Sequence, residues 1–337
     1  MSARMKGGDT SRRAEGYALV LLAAFCWAGG GLLAKWLFSM PGPATAGWPF
    51  PPLGIEVDPI VLSAARAVVS TVIAFGYLIT RRRQALRIRG RDIPFLVVFG
   101  VLGLAMVHFA YFKTISLTGV ATAILLEYLA PVIVLVFSVT LLRERLTLAL
   151  PAAVTLSVAG CALMVGALGP EGLTVPSEGL FWGLASAVFF AGYSLMGKYA
   201  ATRFRPWTLL AYGLGFAALF WLIVLGGPGP IVSLLSDYRA ALAVLALAVV
   251  STIIPFGAFL KALSMIEATQ ASVTSTIEPV VAGIVAWFVF GEQLTSLQLL
   301  GGVFVVMAVV LSQASTRVPA EMPVVHLDPA PDDPGSV

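Results

Sequence analysis

The chain has 337 residues, 59% of them hydrophobic and only 11% charged, with a formal net charge of +4. A soluble domain carries about 25% charged residues, so this composition excludes a water-soluble globular protein and predicts a polytopic membrane protein. Its two cysteines, Cys26 and Cys161, sit inside apolar runs; they give no disulfide framework, CxxC pair or zinc pattern, and no metal or cofactor is expected.

Residues 1–15 are basic and polar and read as a cytoplasmic tail. The apolar run 17–38 exceeds the about 7–15 residues of a signal-peptide core and reads as an uncleaved first span. A span needs about 20 mainly apolar residues. Ten follow in order, over 17–38, 59–80, 93–112, 119–141, 147–167, 179–199, 207–226, 240–260, 268–290 and 295–314. The connections are short, the longest being the Pro/Gly-rich 39–58 and the Arg-rich 81–92. The tail 315–337, rich in proline and aspartate, reads as disordered.

Orientation follows from the cations. With the N-terminus inside, 17 of the 21 lysines and arginines fall in cytoplasmic segments, leaving Lys35, Arg66, Lys113 and Arg239 elsewhere. This predicts both termini in the cytoplasm of a bacterial inner membrane. The run Arg81–Arg91 is a topology signal on this reading rather than a nucleic-acid patch.

The sequence repeats itself. Shifted by 163 residues, Glu15, Gly16, Ala28, Gly29, Leu32 and Lys35 fall on Glu178, Gly179, Ala191, Gly192, Leu195 and Lys198. Shifted by 148, Lys113, Ser116 and Pro131-Val132 fall on Lys261, Ser264 and Pro279-Val280, and Glu144, Leu146 and Thr147 on Glu292, Leu294 and Thr295. Each half holds five spans, and an odd number inserts the second half upside down. The expected fold is all-α, ten transmembrane helices in two inverted five-helix repeats. Such repeats are a recurring build of secondary transporters.

The stretches "ATAILLEYLAPVIVLVFSVTLLRERLT" and "TQASVTSTIEPVVAGIVAWFVFGEQLT" resemble the two proline-containing helices of EamA-type proteins of the drug/metabolite transporter superfamily. Trp27 with its following glycines, and Arg66, are similar to features of that family's first and second helices. The resemblance covers about 16–314. It implies two repeats, 16–167 and 179–314, joined by an extracytoplasmic linker at 168–178, and alternating-access export of small metabolites such as amino acids. The Pro-rich 39–58 loop departs from the family pattern.

Ionisable groups inside spans are functional candidates by default. Glu127 and Glu278 lie deep in their spans; each could carry a proton, or hydrogen-bond backbone freed by the neighbouring proline. His108 suits a proton relay. Arg66 needs a partner, either an anionic substrate group or Glu127. Lys35 and Lys198, near helix ends, read as snorkelling cations, gate ion pairs or substrate contacts. Trp27, Tyr111, Tyr128, Phe190 and Tyr193 could line an aromatic cavity or simply fill the core. Gly29, Gly30, Gly31 and Gly192, with Pro131 and Pro279, are expected to serve close helix packing and gating. Glu144 and Glu292 read as caps of spans five and ten.

These features predict a carrier of a small-molecule substrate, working in lipid, with protons as a candidate coupling ion and a monomer as the functional unit. The alternatives are a cationic drug efflux pump, a membrane-embedded ligand sensor, or a lipid-modifying enzyme. No P-loop, HExxH, GxSxG or Asp-rich metal motif is present.

Overall fold

The computed structural model describes residues 2–38, 40–42, 45–47, 52, 54–55, 57–144, 147–167, 175–290 and 294–314, all helix, turn or coil. The tail 315–337, Glu292 and most of the 168–178 linker lie outside the described residues.

Helix α1 runs Ser2–Phe38, so the segment expected as a polar tail continues the first span as helix. Its Arg, Lys, Ala and Glu residues are good helix formers, and it is anchored: Arg12 donates to Ser264 O at 3.0 Å and Glu15 pairs with Lys261. Helix α2, Pro59–Arg81, starts behind Asp58, whose carboxylate accepts from the Ile60 and Val61 N–H groups. Helix α3 comprises Ile93–Gly100, a π turn Val101–Ala105, and Met106–Thr118. Helix α4 is in two pieces, α4a Val120–Glu127 and α4b Ala130–Thr140. Then come α5 Ala149–Met164, α6 Ser177–Ala200 and α7 Pro206–Val224. Helix α8 comprises Tyr238–Ala248, a π turn Val249–Ile253, and Ile254–Leu263. Helix α9 is again split, α9a Ala268–Ser275 and α9b Glu278–Phe290, and α10 is Ser296–Ala314.

Among the described residues nine helical segments are long and apolar enough to cross a membrane. The exception is α5, whose 16 residues span about 24 Å against a hydrocarbon core of about 30 Å. Large apolar side chains point outward along the spans, including Phe25, Val72, Ile223 and Phe288, the last 75% exposed. Lipid, not water, is the solvent that tolerates such a surface.

The irregularities recur. The two π turns start at Val101 and Val249, and the two helix breaks fall at Tyr128-Leu129 and Thr276-Ile277, each pair 148 residues apart. The breaks have a local cause. A proline lacks the N–H that would bond the carbonyl four residues earlier, and its ring collides with that carbonyl. Pro131 and Pro279 act in this way on Glu127 and Ser275, where α4a and α9a end.

Packing between the halves follows the same pattern. α1 lies on α8 and α9, while α6 lies on α3 and α4; α2 meets both α7 and α8, and α3 meets α7. α5 and α10 pair through glycines: a Cβ on Gly160 would sit 2.8 Å from Gly301 O, and one on Gly301 2.7 Å from Gly160 O. Only bare backbone allows that approach.

Candidate functional site

Arg66 on α2 is 3% exposed. An isolated buried charge is unfavourable by many kcal/mol, so its contacts matter. Its Nη2 donates to Thr252 Oγ1 at 2.7 Å, and to Ser251 Oγ and Ser251 O at 3.2 and 3.3 Å. Both residues belong to the π turn of α8, where the widened helix offers a carbonyl and two hydroxyls to one guanidinium. The guanidinium also lies 4.8 Å from the centre of the Phe112 ring. Its Nε has no partner among the described residues. The expected alternative of a pair with Glu127 is not formed: no ion pair joins Arg66 to an acid among the described residues.

Gly30 explains how α1 reaches this turn. A Cβ there would collide with Ser251, whereas Cβ atoms on Gly29 and Gly31 would meet nothing within 4 Å. The close approach expected of three glycines therefore belongs to Gly30. Gly192 is likewise loose, and the tight contacts on α6 fall at Gly179, Gly183 and Gly197, against Thr118, Leu126, and Leu260 with Leu263.

The two break regions bring the acids together. Glu127, ending α4a, and Glu278, opening α9b, line one central cavity with Trp27, Arg66, His108, Tyr111 and Tyr128. The cavity measures about 60 Å³, room for a few waters and well below the roughly 300 Å³ of ordinary ligand sites. It continues through Gly31 and Glu278 into a vestibule of about 360 Å³ lined by Val120, Ile124, Pro279 and Gln298. Glu278 is 8% exposed and its Oε2 lies 2.6 Å from the Tyr128 hydroxyl. Glu127 Oε2 and His108 Nε2 are buried without partners among the described residues. His108 packs edge-on against Phe256, and Trp27 does so against Phe190 and Phe256.

Other candidates lie elsewhere. Tyr193 is fully buried behind this wall and donates to Phe256 O at 3.0 Å. Lys198 is away from the cavity: it donates to Ile266 O at 2.7 Å and pairs with Glu267 at 3.1 Å. The Lys35 side chain lies outside the described residues. Pro131 is buried at the start of α4b.

Glu144 corrects an expectation. It does not cap the helix that follows it in sequence. Its carboxylate accepts from Ala268 N–H at 2.9 Å and Thr269 Oγ1 at 3.0 Å at the start of α9a, in the other half of the chain, and so adds to the capping box that Glu267 forms there with Gln270. Burial pushes this carboxyl above its ordinary range; the two bonds oppose the shift and nearby Glu267 adds to it. Glu15–Lys261, Arg203–Asp92, Lys198–Glu267 and Glu144 all lie on the end of the molecule holding the Arg81–Arg91 run, here termed the basic face. The vestibule opens on the opposite end.

Ser251 and Thr252 went unread in the sequence. Their one signal is a hydroxyl pair inside the apolar run "AVVSTII", which hydropathy passes over.

The apolar helices and the buried polar cavity between them define an integral membrane protein. The profile of the EamA-like transporter family matches residues 14–166 and again 177–313, and the chain belongs to that family. An uncharacterized transporter of Archaeoglobus fulgidus is 33% identical over 63% of this chain and 75% of its own length. The uncharacterized inner membrane transporter YicL of Salmonella typhimurium is 23% identical over 90% and 96%. The pseudopaline exporter CntI of Pseudomonas aeruginosa is 26% identical over 72% and 82%. A solved crystal structure superposes with a TM-score of 0.71 at 22% identity, over 91% of this chain and 99% of the other, and so shares the fold.

Proposed function

We propose that the protein is a secondary carrier that exports small metabolites such as amino acids across the bacterial inner membrane by alternating access. In this reading ten helices form two inverted repeats, each residue range matched once by the family profile. The recurring π turns, breaks and helix pairings support it. The lysine and arginine distribution supports placing the basic face in the cytoplasm, which puts the vestibule residues Val120, Ile124 and Gln298 toward the outer side. Export matches the direction named for one relative.

One observation carries the reading. Arg66 and Glu127, a base and an acid, line a single cavity and are not paired with each other. A substrate bearing a carboxylate and an ammonium group supplies both missing partners. Arg66 is the carboxylate contact, Glu127 the ammonium contact, and Trp27 and Tyr111 the apolar walls. A purely cationic drug would leave Arg66 unanswered.

The test is efflux from proteoliposomes loaded with the protein amino acids, followed by mass spectrometry against empty vesicles. Selective efflux is expected. Arg66→Met should lower it by about 10–100-fold, the equivalent of a charged hydrogen bond of about 1.5–3 kcal/mol. Efflux of organic cations alone, insensitive to Arg66→Met, would overturn the reading.

A further inference from the structure

The Tyr128 hydroxyl faces two acceptors, Ser275 O at 3.0 Å and Glu278 Oε2 at 2.6 Å. A phenol has one hydrogen to donate. Ser275 O is the carbonyl that Pro279 orphans, four residues on. Ser275 is fully buried, where a carbonyl without a partner is costly. The Tyr128 hydrogen therefore fills the gap that the proline leaves. The 2.6 Å contact needs a second hydrogen, and the Glu278 carboxyl brings it when it is a carboxylic acid donating to the phenolic oxygen.

We propose that Glu278 is the proton-binding site that couples transport to a pH difference, and that Tyr128 is the residue positioning it. The coupling half of this inference rests on the carrier reading above; the proton site does not. Glu278 lines both the central cavity and the vestibule, whereas Glu127 and His108 line the central cavity and not the vestibule. Its proton leaves the carboxyl for vestibule water and returns the same way. On its loss the carboxylate becomes the stronger acceptor and takes the Tyr128 hydrogen. Ser275 O is then left open at the break, and the end of α9a loosens. Protonation and the geometry of a broken helix are in this way one equilibrium.

Six titratable or charged groups surround Glu278. α4 presents Tyr128 and Glu127, α3 presents Tyr111 and His108, and α2 presents Arg66. α5 places Cys161 behind Tyr128, its Sγ 3.9 Å from Thr276 O. α10 contributes the neutral Gln298.

Two measurements test this on the full chain. Infrared spectra across a pH titration, in detergent, should contain a buried carboxylic-acid carbonyl band at neutral pH. Glu278→Gln should remove one component of it, and Glu127→Gln should keep that component. Tyr128→Phe should shift the pH at which it disappears, which a merely structural tyrosine would not do. In proteoliposomes loaded with the protein amino acids, wild-type efflux should respond to a pH gradient, and Glu278→Gln should lose that response while Glu278→Asp keeps it. A carbonyl region unchanged by Glu278→Gln overturns the proton site. Wild-type efflux indifferent to pH, or a gradient response retained by Glu278→Gln, overturns the coupling. If the band behaves as expected and no amino acid moves, the carrier reading fails for these substrates and the proton site stands.

Discussion

The half-helices α4a and α9a break at equivalent residues and are held in opposite ways. α9a is clamped at both ends: Glu144 caps its start and Tyr128 takes the carbonyl at its end. Between them Thr269, Gln270, Ser272, Thr274 and Ser275 are all buried. α4a has no side-chain cap at Gly119, and its Val120, Ala121 and Ile124 line the vestibule. α9a lies toward the basic face, while α4a lines the vestibule. Equivalent backbone breaks thus carry different side-chain locks. Removing locks on the α9a side should make the two ends alike, with effects that fall in the following order.

The largest effect is expected at Gly30. Leucine there drives a side chain into Ser251, disturbing the turn that holds Arg66. Overpacking of this kind is destabilising by about 1–3 kcal/mol or more. Gly30→Leu should lower the melting temperature by several degrees and abolish efflux, while Gly29→Leu, with open space around it, should leave both near wild type. Equal damage from the two would remove the distinction drawn between these glycines.

Tyr128→Phe comes next. It strips the Ser275 carbonyl of its donor, a loss of about 1–3 kcal/mol for a buried group, and hydrogen exchange should accelerate at α9 around residues 275–278. The mirror change Thr276→Val should cost less, because the Thr276 hydroxyl bonds only within its own turn, to Val273 O at 2.6 Å. If Thr276→Val loosens the α9 break as much as Tyr128→Phe does, the asymmetry between α4 and α9 does not lie in these contacts.

How much of this was legible beforehand follows the range of the interaction. The spans, the buried acids and the prolines are encoded locally, by runs of apolar residues and by single residues that violate them. The breaks themselves follow from Pro131 and Pro279. The partners do not: Arg66 finds Ser251 185 residues away, and Glu144 finds Ala268 124 residues away. Nothing in local periodicity selects such pairs. Proximity in sequence suggested that Glu144 caps the adjacent helix, and the fold assigns it to the opposite half. The π turns were also unread, because five apolar or small residues look the same whether a helix is α or π.

The smallest effects belong to the basic face, and there pH separates two contacts that look similar. Lys198–Glu267 is half-exposed, with side chains 24% and 47% accessible, so Lys198→Ala should cost about 0.2–1 kcal/mol or less. Glu144 is a helix cap, worth about 0.5–2 kcal/mol, and burial raises its carboxyl above the ordinary value of 4.5. An acid whose folded pKa is raised contributes its stability in full below the unfolded value and loses it as pH climbs through the folded value. The net contribution of Glu144 to stability should therefore fall as pH rises from 4.5 upward through the raised value, because burial penalises the charged form more than its two bonds to α9a favour it. Glu144→Gln keeps an acceptor for the Ala268 N–H but cannot ionise. Its melting temperature should be flatter with pH across that window than wild type, whereas Lys198→Ala should shift the curve without changing its slope. A wild-type slope retained in Glu144→Gln would assign the pH response of this face to another group and leave Glu144 as a cap only.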